Sequence, residues 1–444
     1  MISEEPKIRV GVLDRRREVR GRLNGPFRVK DRLFAGCAFT AVNSGGDIVF
    51  RLFPGGGIFR GREIICAPEN GATFSLSDVT IGIRFHWERN EEQTFEGSLR
   101  LLARNDGTIA AVNDIGLERY LESVISSEMN PEAPREFLKA HTVASRSWLL
   151  AALKNAAGAK KSDDLSRGKM DREGERIRWY GREDHDLYDV CADDHCQRYH
   201  GITRLIPGRS ARAVDETRGL FLVQGDEICD ARYHKACGGI TEPFENVWED
   251  RCVPYLSSIA DSPVPHPPVR SEEDAERWIC SNPQAWCRVQ DAGVLGRILP
   301  SFDRETPDFF RWKISYDREE LEAVLEEKSG IDFGLLQNLI PVERGPSGRI
   351  VRLKIEGSKA SCTVGKELEI RRWLSRNHLL SSAFVVSVER DESGNARRFI
   401  LDGAGWGHGV GLCQIGAAMM AEKGFRAEDI LRHYFTGAEL VKLY

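Results

Sequence analysis

Residues Leu117–Ala151 read LERYLESVISSEMNPEAPREFLKAHTVASRSWLLA, and the organisation of the chain follows from them. Apolar residues recur at helical spacing in two runs, interrupted at Asn130–Pro131. Proline removes a backbone donor and restricts the residue before it, so the stretch predicts two amphipathic helices joined by a short break. Glu128 stands just before that break, where a carboxylate can leave the packed stripe and face a cleft. The plain alternative is a solvated helix-end glutamate, because charged side chains are mostly exposed. Arg146 falls in the second run near Val143, Leu149 and Leu150, and a guanidinium in a packed helix needs a partner. A structural ion pair would meet that need, and so would the orientation of a functional carboxylate.

Working outward, Lys7–Asn113 alternates short apolar runs with Gly, Asn and Asp, as strands joined by turns do. We take residues 1–113 as a β-rich region and 114–263 as the first part of a core. Ala157–Arg178 is highly charged without apolar periodicity and predicts a solvated loop or insertion. Pro-rich Ser262–Pro268 marks a boundary. Beyond it, Ser271 with Asp274 predicts a capped helix start, and Asp317 with Glu320 a second helix stopping at Gly330. With strand-like FRWKISY, RIVRLKI and ASCTVG, residues 264–380 read as an inserted α+β lobe, and 381–444 as the rest of the core. The fold class is α+β: a mixed β scaffold, a central helical segment and the inserted lobe.

A chain of 444 residues exceeds the usual single core and suggests two or three lobes. Its net charge of −5 gives no reason to expect a nucleic-acid partner, which favours basic faces. No stretch approaches the roughly 18 consecutive apolar residues of a transmembrane helix. Eleven Cys is an odd count, so in a monomer at least one stays unpaired or binds something, and the redox compartment stays open.

Three further constellations carry chemistry. In HDLYDVCADDHCQRYHG, His185, Cys191, His195 and Cys196 cluster, and thiolates with imidazoles are the usual ligands of tetrahedral zinc. The spacing matches no zinc-finger pattern, and unligated Cys beside surface His is the alternative. Four protein ligands would leave no open position, which favours structural over catalytic zinc. In YHKACGGITEPFENVW, Tyr233 and His234 end a strand-like run before a Gly-Gly turn. A His234–Cys237 nucleophile pair lacks a third, orienting residue. Gly403–Ala417, GAGWGHGVGLCQIGA, has glycines like a dinucleotide fingerprint, but no parallel strand follows to receive a nucleotide. It reads better as a wide turn that lets backbone approach a ligand, with Trp406 and His408 at the rim and Gln414 opening a helix.

These blocks together resemble the SpoIID/LytB family of bacterial cell-wall proteins. LERYLESVISSEMN and KAHTVASRSW match its LxxYLxxVxxxEMP opening and the helix after it, with Asn130 where the family usually has Pro. AVDETRGLFLVQGDEICDARYHKACGGITEPFENVW, PYLSSIADSP and GAGWGHGVGLCQIGAAMMAEKGFRAEDILRHYFTGAEL follow in the family's order. The family form YHSxSGGxT places Ser where this chain has Cys237, and the closing block resembles the family's GWGHGVGMSQYGA. The resemblance implies action on peptidoglycan glycan strands in the cell envelope, with a cell-wall amidase as a further partner. It implies Glu128 and Arg146 as catalytic residues, and Tyr233, His234, Trp406, His408 and Gln414 as glycan-binding ones. It also strengthens the zinc reading of His185, Cys191, His195 and Cys196. The opening MISEEPKIRVGVL lacks the basic region and long apolar core of a signal peptide, which sits against the implied export.

Glycoside hydrolases usually use two carboxylates, and here Glu128 stands out, with Glu132, Glu136 and Asp215 as lesser candidates. A lytic transglycosylase activates no water and needs fewer. Such an acid needs a pKa raised from ~4.3 towards ~6, which partial burial favours and tight pairing with Arg146 opposes. The expected activity is lytic transglycosylation of the N-acetylmuramic acid–N-acetylglucosamine bond, yielding a 1,6-anhydro sugar. A non-catalytic glycan-binding amidase enhancer and a zinc amidase are the alternatives.

Overall fold

The computed structural model describes residues 4–83, 88–159, 168–180, 185–205, 208–300, 303 and 308–444. The chain folds as two units: Met1–Glu132 with Asp184–Leu220 and Lys442–Tyr444, and Ala133–Glu183 with Phe221–Val441. Helices and mixed sheets make the protein α+β.

The first unit is built on ten strands: β1 (Lys7–Arg16), β2 (Glu18–Val29), β3 (Arg32–Ser44), β4 (Asp47–Phe53), β5 (Gly57–Gly61), β6 (Glu63–Pro68), β7 (Thr73–Ile81), β8 (Arg89–Phe95), β9 (Ser98–Ala103) and β10 (Ile109–Gly116). They form one sheet in the order β1-β10-β9-β6-β2-β3-β4-β5, with β7 joining β2 to β8. A short strand, Val190–Cys191, adds in parallel to β1 opposite Val10 and Gly11. A Cβ on Gly11 would lie 2.6 Å from the Tyr188 ring, so only glycine lets that ring pack onto the sheet.

From β10 the chain enters α1 (Leu117–Glu128) through an extended Gly116. Every α1 residue but Arg119 is buried, so its polar side chains need partners. Glu118 accepts from Tyr444 Oη at 2.6 Å and Gly219 N at 3.3 Å. Ser123 Oγ accepts from His200 N at 3.2 Å. The helix stops at an extended Met129, and Asn130 Oδ1 accepts from Glu132 N at 2.9 Å in a tight turn, which is the expected break.

The second unit opens with α2 (Arg135–Ala159), which packs against the helices Gln414–Glu422 and Ala427–Tyr434. Strand Tyr233–His234 pairs in parallel with Leu412–Cys413. Arg311–Asp317, Ala396–Ala404 and Phe384–Arg390 form a three-stranded sheet. Its core, including Trp312, Leu353, Trp373 and Phe399, is shared with the five-stranded sheet that contains Ile350–Gly357. Ser271 caps the helix Glu272–Ile279 by accepting from Asp274 N at 3.1 Å, and left-handed Gly330 ends Arg318–Ser329, as expected; Asp317 forms no side-chain cap.

Part of the charged stretch 157–178 departs from expectation. Its residues 160–167 lie outside the described residues. Lys169–Arg172 and Glu175–Arg178 form a hairpin, not a loop, and Arg176 pairs with Val364. Ile177 is buried opposite Met170, and half-buried Arg176 donates to Ser329 O at 2.6 Å and lies 5.9 Å from the Trp373 ring centre, so the hairpin is held by side-chain contacts as well as by pairing. Strands from within 264–380 thus pair beyond both bounds of that segment, with Glu175–Arg178 on one side and Ala396–Ala404 on the other.

Candidate functional site

In the first unit, Glu128 occupies the last turn of α1 and is 8% exposed. Its Oε1 accepts from Arg198 N at 3.1 Å. The loop that supplies this N–H grips α1 at several points. Tyr120 Oη donates to Gln197 Oε1 at 3.2 Å, and the Tyr120 and Tyr199 rings stack at 5.1 Å. Tyr199 Oη donates to Asn113 Oδ1 at 2.5 Å, and its ring also stacks on Phe95. Residues 197–200 therefore form a buried strap along α1 that ends on the Glu128 carboxylate.

Immediately before the strap lies the Cys/His cluster. A turn closed by Cys196 N donating to Asp193 O at 3.0 Å lets adjacent His195 and Cys196 face one point. His185 Nε2 is 3.3 Å from Cys196 Sγ, and His195 Nδ1 is 3.5 Å from Cys196 Sγ and 3.8 Å from Cys191 Sγ. All four donor atoms lie within 4.8 Å of one another. A tetrahedral ion with bonds of about 2.0–2.3 Å holds its donors at about such separations, so two thiols and two imidazoles here fit zinc in kind and spacing. Hydrogen bonding from Cys196, with help from His185 and His195, holds the Cys191 thiol far below its ordinary value despite burial, which suits a thiolate ligand.

The second unit carries the remaining candidates. Arg146 is fully buried in α2, its guanidinium 6.0 Å from the Phe221 ring centre. His141, five residues earlier in the same helix, is also fully buried and lies 3.1 Å from Gln414 Nε2 through its own Nε2. Its ring meets Tyr233 edge-on at 4.6 Å. His234 Nδ1 donates to Val410 O at 3.1 Å, and His408 Nδ1 accepts from Val410 N at 3.1 Å, their rings 5.5 Å apart. His234 and Gln414 are buried, whereas Tyr233, Trp406 and His408 keep partly open faces. Phe309 packs on Trp406, and Trp248 lies edge-on to His408 with the Arg232 guanidinium 3.6 Å over its ring.

The wide turn is held from beneath by Arg349, a residue the motifs do not mark. Its buried guanidinium donates to Gly407 O at 3.0 and 3.2 Å and to Cys237 O at 3.1 Å. At Gly409, φ is +82° and a Cβ would stand 2.5 Å from the Arg349 guanidinium, so glycine is required twice over. Glu242 N donates to Gly409 O at 2.8 Å. Burial pushes the Glu242 carboxyl up to about 7, against the pull of Ser347 and Asn246. Burial likewise pushes His141 and His234 down to about 3, so both imidazoles are neutral hydrogen-bonding groups. Cys237 is buried with Sγ 3.0 Å from Asp261 Oδ2, and His234 Nδ1 is committed to Val410.

The family matches do not follow the boundary between the two units. Residues 105–223 match the family described as stage II sporulation protein (SpoIID). That span includes Glu128, Arg146 and the Cys/His cluster. Residues 242–411 match a domain of unknown function (DUF8618), which includes Trp406 and His408. The chain is 23% identical over 331 residues to stage II sporulation protein D of Bacillus amyloliquefaciens, covering 74% of this chain and 75% of the relative. It is 26% identical over 349 residues to an uncharacterized protein of Brachyspira hyodysenteriae, covering 78% and 72%. Identity to the amidase enhancer of Bacillus subtilis is 24% over 243 residues, 52% of this chain but 32% of that longer protein. The matched model, these relatives and the motifs quoted above make the chain similar to the SpoIID/LytB family, and the family model itself matches residues 105–223.

Proposed function

We propose that this protein cleaves the glycan strands of peptidoglycan in the cell envelope as a lytic transglycosylase, with Glu128 as its acid and base. The observation that carries the reading is the seating of Glu128: 8% exposed, at a helix end, and oriented by the Arg198 N–H. The Arg198 N–H fixes the carboxyl group's orientation, and a positioned carboxyl is what proton transfer to a substrate oxygen requires. That proton goes to the oxygen linking N-acetylmuramic acid to N-acetylglucosamine, and the C1–O bond breaks. The muramic C6 hydroxyl then bonds to C1 and returns its proton to the Glu128 carboxylate, which regenerates the acid. No water enters, so no second carboxylate is needed. Glu132 and Asp215 are exposed, and Glu136 is engaged with Lys139 and Ala427 N, which fits a single-acid reaction.

In the second unit, the open faces of Tyr233, Trp406 and His408 offer stacking and uncharged hydrogen bonding to sugar rings. His234 and Gln414 position these groups from below. Arg146, fully buried, acts as a positioning residue. His185, Cys191, His195 and Cys196 would hold zinc, whose chemistry here is to cross-link the loop whose strap orients Glu128. Four protein donors leave no coordination position for a reactive water, which speaks against a zinc amidase.

Partial similarity to an amidase enhancer supports a second reading, in which the protein binds glycan and stimulates a cell-wall amidase. One experiment separates the two. Incubation of purified peptidoglycan with the protein should release fragments ending in anhydro-muramic acid, and Glu128→Gln should lower the rate about 10²–10⁴-fold. Glycan that is bound but not shortened by the wild-type protein would support the enhancer instead.

A further inference from the structure

Three thiols and a carboxylate converge at a second place, wholly inside the second unit. Cys237 follows the strand Tyr233–His234, Cys413 ends its partner strand, Asp261 follows the bridge between Ile240 and Ala260, and Cys287 comes from an irregular stretch. All four are at most 1% exposed. Cys237 Sγ lies 3.0 Å from Asp261 Oδ2 and 3.5 Å from Cys287 Sγ, and the four donor atoms lie within 4.8 Å of one another. We propose that Cys237, Asp261, Cys287 and Cys413 bind one divalent metal ion of the zinc class, in a closed structural site separate from the His185 cluster.

The surroundings are those of a ligand shell. The two oxygens of Asp261 are divided in their tasks. Oδ1 accepts from Tyr434 Oη at 2.7 Å and faces His433 Nε2 at 3.2 Å, while Oδ2 turns to the sulfurs. A carboxylate fixed through one oxygen by outer partners and free at the other is how such ligands are oriented. The sulfurs accept backbone N–H bonds, from Gly239 to Cys237 at 3.2 Å and from Cys237 and Gly416 to Cys413 at 3.3 Å each. Arg349 and Arg311 donate to the carbonyls of Cys237 and Gly238, which brings positive charge beside the cluster. A Cβ on Gly416 would stand 2.4 Å from Asp261 Oδ2, so glycine admits the carboxylate. Burying a carboxylate among three thiols is unfavourable without a cation, and three soft donors with one oxygen select zinc over magnesium or calcium. Cys237 and Cys413 also stand where the resembled motifs carry Ser, so this chain differs from those motifs by a sulfur at two neighbouring points of one pocket.

The test is metal content of the full chain, purified without chelator. Elemental analysis should find two equivalents of zinc per chain, and one in Cys191→Ser/Cys196→Ser. X-ray absorption at the zinc edge of that double variant should show three sulfurs and one oxygen. Adding Cys287→Ser to it should weaken zinc binding at least tenfold. Should that triple variant fail to fold, the absorption spectrum of the double variant still decides. One equivalent in the wild type that is lost in the double variant would overturn the proposal. A nitrogen-rich shell, or a Cys237–Cys287 disulfide in the native protein, would do the same.

Discussion

At the scale of residues, burial decides which side chains carry protons. His141, His200 and His234 are buried, and burial pushes each down to about 3. The unfolded chain takes up these protons below about pH 6.5, whereas the folded chain resists until about pH 3. Their contribution to stability is therefore complete above about pH 6.5 and lost as pH falls, by up to ~1.4 kcal/mol per pH unit for each group. Urea unfolding should show markedly lower stability at pH 5 than at pH 7; equal midpoints would mean that the imidazoles are not held neutral. The place of Glu128 at the end of α1 was legible in the sequence because proline restricts how far the helix can run. Arg349 and Glu242 were not, because nothing in their local pattern records that residues far along the chain meet beneath one turn.

At the scale of elements, the strap 197–200 is where the Cys/His cluster and α1 are coupled. Removing the zinc proposed for the first cluster should leave β1–β10 folded, since that sheet has its own buried core. It should release the strap, so hydrogen exchange at the Arg198 and His200 amides should quicken at least tenfold after chelation. Unchanged protection would show that the stacking of Tyr120, Tyr199 and Phe95 holds the strap without metal. The wide turn offers a second element-level prediction. Gly409→Ala combines a strained φ with a clash against Arg349, and should lower stability by about 1–3 kcal/mol in thermal unfolding. The glycine pattern announced a turn from sequence alone. The hairpin Lys169–Arg178 gave no such notice, because it has one buried apolar residue among charges, and its place comes from pairing with a strand nearly two hundred residues away.

At the scale of the whole molecule, the α+β class and the likeness to SpoIID proteins were readable because local periodicities and motif order survive in the sequence. Strand pairing was not. Ala396–Ala404 lies between Arg311–Asp317 and Phe384–Arg390, and the first of these pairings is between segments some eighty residues apart. The second thiol cluster escaped for the same reason: its ligands come from four separated segments with no common spacing. Among the described residues, no helix is long and apolar enough to cross a membrane.

The most direct test of the central claim is to digest peptidoglycan in water enriched in oxygen-18. Intramolecular attack by the C6 hydroxyl predicts fragments that end in anhydro-muramic acid and carry no heavy oxygen. Fragments with labelled reducing ends would mean that water attacks C1, and the single-acid mechanism assigned to Glu128 would be wrong.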